Sequence, residues 1–445
     1  MITNYIKLAL RILGRRKFFT FISLFGISFT LGILMVVISF MQTEMGTNKP
    51  LTNKNDFVIV EQLKLKRTYY DTLVNVDTII DNGFAVYDTT FEYKSKGSGT
   101  SQSEINSDIV LNYLKDLPAA KDVSMFAGMD YNVYVNGIKL TLRALMTDAS
   151  YWSVFDHTIL EGTTFNQTDV SSSSQVILIS NLTAKNYFDS DENVVGKEMI
   201  LDGKTYKIIG MYDHVGKVIQ YVSPDVVIPY TNYNLANQDD FYNGPFSVML
   251  QKHSDQDAQR LKDEIDNAAT LVPLDHPDNT RGYQEIVFAP MTYNEMFAQA
   301  LYWEEDASKS LAIMKWILMS LLAFFIILPT LNLINLNVSR IMDRSSEIGV
   351  RKAFGANQGH IIGQFIIENI VQTLIGGLLG LALAWGLINL INKGGLLGKA
   401  ELLFQPRFFL YSFIITIIFG IFSGFVPAFR MSKLQIVKAL KQNKL

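Results

Sequence analysis

Side chains able to do chemistry are present in this sequence, but they do not gather. The five histidines, His157, His214, His253, His276 and His360, are scattered and never fall at metal-ligand spacing. There is no cysteine, which excludes disulfides, thiolate metal sites and a cysteine nucleophile. No Gly-x-Ser-x-Gly elbow occurs, and no other nucleophile has an adjacent base. The stretch from Gly210 to Val218 approaches a phosphate-binding loop, but it has one residue too many between Gly210 and Gly216. It also places Val218 where a magnesium-binding hydroxyl is needed, so it reads as a turn after a strand. No catalytic residue, cofactor site or metal site is expected in this chain.

The polar residues that stand out are those in apolar surroundings. Glu368 lies near the start of one long apolar run, and Asn332 and Asn335 follow Pro329 in another. Ionisable and amide groups inside a membrane are costly and therefore informative. Here a helix-packing or interfacial role is expected in preference to a proton relay. Gly376, Gly377 and Gly380 supply the small-residue spacing that lets helices approach closely.

Four apolar runs must carry these residues: 18–41, 316–339, 361–392 and 408–429, of which only the third contains a charge. At about 1.5 Å rise per residue, 22 to 24 residues span roughly 33–36 Å, enough to cross a hydrocarbon core of about 30 Å. The first run is too long for a cleaved signal peptide and is followed by no small-residue cleavage site, so it is expected to stay as an anchor.

The net charge of -3 conceals a separation. Residues 44–310 hold 21 Lys and Arg against 38 Asp and Glu, a net of -17, while the flanks hold 18 basic and 4 acidic residues, a net of +14. Short loops rich in Lys and Arg stay on the cytoplasmic side. Such clusters precede the first run (Lys7, Arg11, Arg15, Arg16, Lys17), separate the second from the third (Arg340, Arg344, Arg351, Lys352) and follow the fourth (Arg430, Lys433, Lys438, Lys441, Lys444). Both termini are therefore expected in the cytoplasm, and the acidic insert outside.

The expected architecture is an α-helical membrane protein with four transmembrane helices and a mixed α/β extracytoplasmic domain between helices 1 and 2. Residues 1–17 form a cytoplasmic amphipathic helix, with Ile6, Ala9, Leu10 and Leu13 at helical spacing. The spans cover 18–42, 311–339, 361–392 and 408–430. They are joined by a cytoplasmic loop, 340–360, and a short outer loop, 393–407, and a tail, 431–445, follows. Within the insert, 43–310, segments 43–150 and 245–310 are expected as one subdomain and 151–244 as another inserted into it. Strands are expected near 57–60, 131–135, 176–179, 206–209, 226–228 and 246–250, with hairpin turns at Asn136-Gly137 and Asp202-Gly203. Helices are expected at 107–117, 182–188 and 255–269.

The second cytoplasmic loop reads Glu347-Ile348-Gly349-Val350-Arg351-Lys352-Ala353-Phe354-Gly355-Ala356. It resembles the Glu-Ile-Gly-x-Arg-x-Ala-x-Gly-Ala signature of the MacB/FtsX-like permeases of ABC transporters. The tail from Pro427 to Leu440 resembles that family's closing pattern, with Met431 and Ile436 as departures. Apolar Ile348, Val350, Ala353 and Phe354 in a charged loop call for a partner surface. The resemblance implies that this partner is a separate cytoplasmic ATPase, which would hold the ATP and magnesium. It also implies a homodimer or heterodimer of permeases in the inner membrane, and possible association with a periplasmic adaptor and an outer-membrane duct. The implied mechanism is mechanotransmission for export or envelope substrate handling. A lipoprotein-releasing complex subunit and a non-transporting membrane sensor or scaffold are the alternatives. Lipid is the surrounding partner, and the charge balance gives no reason to expect nucleic acid.

Overall fold

In the computed structural model the chain divides into two units, Met1–Gly46 with Ala312–Leu445, and Thr47–Leu311. The structure describes residues 2–15, 17–81, 84–216, 221–232, 240–254, 256–302, 306–343, 350, 354, 357–397, 401–404 and scattered positions of 407–429.

The first unit is helical. Its first helix, α1 (Ile2–Arg15), buries Ala9 and Leu13, four apart on one face, but leaves Ile6 and Leu10 of the expected apolar face exposed. The long helix α2 (Lys17–Met45) follows, and Thr20 Oγ1 donates to the Leu13 carbonyl at 3.0 Å across the junction. Among the described residues three stretches are long and apolar enough to cross a membrane: Thr20–Met45, Ala307–Phe325 and Ile362–Gly394. The last two belong to helices of 37 residues each, Ala307–Asp343 and Gln358–Gly394. The fourth expected span, 408–430, lies mostly outside the described residues.

The second unit is built on one mixed sheet. Its strands are β1 (Phe57–Val60), β4 (Ala120–Val135), β5 (Ile138–Thr147), β6 (Ile159–Gly162), β7 (Val176–Ser180), β8 (Glu198–Leu201), β9 (Lys204–Tyr212), β10 (Val226–Pro229), β11 (Ser247–Lys252) and β13 (Met291–Thr292). The order is β13-β1-β11-β4-β5-β10-β7-β9-β6, with β8 pairing β9. The pairs β5–β10 and β7–β9 are parallel, and the others are antiparallel.

Both faces of the sheet are covered, so its central strands read as continuous apolar runs. In β1, Val58 and Val60 join a core with Met125, Ala144, Val248 and Leu250, while Phe57 and Ile59 join another with Phe126, Leu145, Tyr151, Phe155 and Met249. The first face is closed by α4 (Asp257–Leu271), through Leu261, Ile265, Ala268 and Ala269. The shorter α3 (Asn181–Phe188) is capped by Ser180, whose Oγ accepts from the Thr183 amide at 3.1 Å.

Both expected hairpin turns form, with Asn136 and Gly137 at φ 51 and 80, and Asp202 and Gly203 at φ 48 and 74. Two positive φ values in succession match the strand twist, which is why Asn-Gly and Asp-Gly suit these turns. Two expectations change in form. The helix at 107–117 is one α turn, Ser107–Ile109, followed by a π-helical turn, Val110–Leu114. Residues 151–244 supply β6 to β10 to this same sheet, and β10 pairs with β5 from Val226 opposite Ala144 to Pro229 opposite Thr147. Backbone hydrogen bonds therefore run straight through the expected subdomain boundary.

A second sheet was not anticipated. Strands β2 (Leu63–Asp81) and β3 (Phe84–Ser103) form a long antiparallel ribbon, and β12 (Glu285–Phe288) pairs only with residues 63–66 at its root.

Candidate functional site

Three regions stand out as candidates among the described residues. The first is a helix seam. The last described long helices are α6 (Ala307–Asp343) and α7 (Gln358–Gly394), preceded by α5 (Tyr293–Tyr302). Helix α7 packs on α2 through glycines. A Cβ added at Gly376 would sit 2.8 Å from Ile27 Cγ2, and one at Gly380 would sit 3.0 Å from both Leu31 Cβ and the Ser28 carbonyl oxygen. Gly32 of α2 answers from the other side, where a Cβ would meet Leu383 at 2.8 Å. Only a missing side chain allows this approach.

Rows of residues four apart share a helix face. Glu368 and Gln372 therefore continue the row of Gly376 and Gly380 toward the start of α7. Asn369 and Thr373 continue the row of Gly377, which packs against Phe413; Thr373 itself lies against Gly420. Glu368 is only 4% exposed, and Asn369, Gln372 and Thr373 are buried, as is Ser23 of α2. The sequence marked Glu368 alone. Its neighbours escaped notice because single amides and hydroxyls are common in helices, and only their shared burial reveals a polar stretch. Asn335 is exposed on α6, and the side chain of Asn332 lies outside the described residues.

The same two helices are tied again near their other ends. The Asn392 amide donates to the Leu402 carbonyl at 3.1 Å and its Oδ1 accepts from the Leu402 amide at 2.9 Å. Ser39 Oγ donates to the Leu403 carbonyl at 2.6 Å, and the Leu403 amide donates to Thr43 Oγ1 at 3.0 Å. Residues 402–403 thus bridge α2 and α7.

The second region is the loop before α7. Of its motif, Val350 and Phe354 are described; Glu347, Ile348, Gly349, Arg351, Lys352, Ala353, Gly355 and Ala356 lie outside the described residues. The Phe354 amide donates to the Val350 carbonyl at 3.1 Å, yet the Phe354 side chain is 88% exposed. Asn357 ends the loop by capping α7, its Oδ1 accepting from the Gly359 amide at 3.1 Å. A large aromatic held out beside a helix start is suited to contact with another surface.

The third region is a cavity of about 790 Å³ in the second unit, with Glu61, Lys64, Lys262, Met291, Glu295 and Asp306 among its lining. Burial, reinforced by the nearby Glu104 carboxylate, pushes the Glu61 carboxyl up to about 7. Burial raises Glu104 as well. Glu295 is already engaged, accepting from the Thr292 amide at 2.8 Å and hydroxyl at 2.9 Å at the start of α5. Elsewhere in the unit, His157 lies among Tyr151, Trp152, Phe155 and Tyr212, with Nε2 2.9 Å from the Tyr151 hydroxyl. Burial pushes it down to about 3, so it is neutral. Among the described residues no three or more His, Asp or Glu side chains are grouped to hold a metal.

The sequence matches two family models. The MacB-like periplasmic core domain matches residues 20–268, and the FtsX-like permease C-terminal model matches residues 319–436. The macrolide export ATP-binding/permease protein MacB of Acinetobacter baylyi is 26% identical over 310 residues, covering 69% of this chain and 43% of that protein. The ABC transporter permease YknZ of Bacillus subtilis is 27% identical over 292 residues, covering 65% of this chain and 68% of that one. The chain thus spans less than half the length of the Acinetobacter relative. Among solved structures, the periplasmic region of MacB from Actinobacillus actinomycetemcomitans aligns with a TM-score of 0.34 and 16% identity, over 45% of this chain and 84% of that one. The core-domain model alone covers more than half of the sequence, and the permease model takes in the apolar helices and motif loop that follow it: the chain belongs to the MacB/FtsX-like family of ABC transporter permeases.

Proposed function

We propose that this chain is the membrane subunit of a MacB-type ABC system and converts ATP-driven motion into work by its outer domain. The observation that carries the reading is the motif loop, where Val350 and Phe354 are exposed just before the capped start of α7. A cytoplasmic ATPase, holding ATP and magnesium, would seat on this loop. Its closure would displace α7, and with it α2, which is locked to α7 along the glycine seam. The four apolar runs of the sequence support four spans, and its charge separation supports cytoplasmic termini and an outer acidic domain. Two copies of the permease, alike or related, would meet two ATPases. The buried polar stretch around Glu368 acts here as a packing element and not as a substrate path. Work is done outside the membrane, on an exported compound or an envelope partner.

The test is co-purification of the chain with its ATPase, followed by ATPase and transport assays. Glu347→Ala combined with Arg351→Ala is expected to leave hydrolysis running but uncoupled from function. Full coupling in that double variant would overturn the assignment of the loop.

A further inference from the structure

The ribbon of β2 and β3 has two chemically different faces. In an antiparallel pair, residues directly opposite each other share a face, and successive pairs alternate. One face carries the pairs Tyr70–Ser95, Thr72–Tyr93, Val74–Phe91 and Val76–Thr89. The other carries Asp71–Lys94, Leu73–Glu92 and Asn75–Thr90. The first face therefore holds no charge over eight described positions, and all eight side chains are exposed, with Val74 at 53%, Phe91 at 59% and Tyr93 at 68%. Among the described residues β12 alone pairs with the ribbon, and only at residues 63–66.

Such a face does not persist uncovered without cost. A lone two-stranded ribbon is marginal in water, and a sheet with one apolar face is stable when another layer covers it. Three facts point to a second copy as that layer. Two-fold contact places a patch against itself, so any charge near the axis meets its own sign; this face has none. The rest of the insert is acidic, at -17 over residues 44–310, so two copies repel across other surfaces and meet without that penalty here. Finally, its aromatic and β-branched side chains offer on the order of 600 Å² per copy, or about 1,200 Å² in a pair, the lower end of stable interfaces.

We infer that the uncharged face of the ribbon, centred on Val74 and Phe91, packs against the same face of a second copy of this chain, joining two outer domains through a symmetric β-layer. This rests on the reading of the chain as a dimeric permease and gives that dimer a contact in its outer domain.

The chain has no cysteine, so single substitutions report cleanly. Full-length Val74→Cys, Phe91→Cys and, as the opposite-face control, Asn75→Cys would be oxidised with copper phenanthroline in membranes and scored for covalent dimer. A disulfide needs Cα atoms within about 7 Å, so Val74→Cys or Phe91→Cys is expected to give at least about ten-fold more dimer than Asn75→Cys. Equal yields from the two faces, or capture of a different protein in place of a second copy, would overturn the inference. Light scattering of the unmodified chain separates this from the underlying reading: a dimer without face-selective cross-linking rejects the ribbon contact alone, and a monomer rejects the dimeric permease as well. Val74→Lys with Phe91→Lys gives an independent check, since it should abolish cross-linking of a single cysteine placed at Thr72, and persistence of that product would also count against the contact.

Discussion

His157 and Glu61 should titrate against each other, and the balance can be unmasked. His157 is held neutral, its ordinary value of 6.5 pushed down to about 3 by burial among aromatic rings. Below pH 6.5 the unfolded chain takes up a proton that the fold refuses, so stability falls as pH falls. The slope is about 1.4 kcal/mol per pH unit, or about 2 kcal/mol by pH 5. Glu61 has the opposite sign: its ordinary value of 4.5 is pushed up to about 7, so the fold keeps a proton that the unfolded chain releases. Its contribution is fully present below pH 4.5 and is lost as pH rises toward 7. Because Glu61 is only partly buried, solvent screening reduces that contribution to about 1–2 kcal/mol. Between pH 4.5 and 6.5 the two slopes oppose. Unfolding of the full-length chain in detergent, followed by circular dichroism across this window, should therefore show that Glu61→Gln loses stability on acidification more steeply than the parent. His157→Gln should show the reverse. Differences between variant and parent remove the carboxylates remote from both sites, while Glu104, whose charge reinforces Glu61, stays part of the Glu61 difference. Parallel stability curves for parent and both variants would refute the reasoning.

Three further outcomes follow from the packing. Gly380→Leu should destabilise the helical unit by about 1–3 kcal/mol, because the seam has no room for a side chain; a thermal shift in detergent reads this, and an unchanged melting point would contradict the close approach. Ser39→Ala with Thr43→Val removes two hydrogen bonds to Leu403, worth about 1 kcal/mol each, and should raise the rate of limited proteolysis within residues 398–404. Asp148 accepts from Lys115 Nζ at 2.6 Å and from Ser124 Oγ at 2.9 Å while itself buried. Asp148→Ala leaves Lys115 without its carboxylate and should cost about 2–3 kcal/mol, below the full value for a buried pair because Lys115 is partly exposed; denaturant titration reads this.

The sequence announced local features well. Asn136-Gly137 and Asp202-Gly203 were legible because a two-residue turn needs positive φ at both positions, and few residue pairs supply it. The continuous apolar strands and the helices near 182 and 257 were legible from period and length. Sheet order was not, since β5 meets β10 across 78 intervening residues and no periodicity encodes that pairing. The ribbon was missed although Asn82-Gly83 sits between its strands: charges interrupt the alternation on one face, and the apolar face shows only once the register is known. At the helix seam Gly376 and Gly380 were readable as spacing, whereas the burial of Asn369, Gln372 and Thr373 depended on what α7 packs against.

The bridge at Leu402 and Leu403 has a mechanical meaning. Helices joined only along a smooth seam can slide past each other or splay at one end. Helices α2 and α7 are fixed twice, by interlocking glycines and by four hydrogen bonds through residues 402–403. The first attachment opposes translation along the axis, and the second opposes opening. What remains to the pair is movement as a single body, so any displacement imposed on the start of α7 would carry the far end of α2 with it.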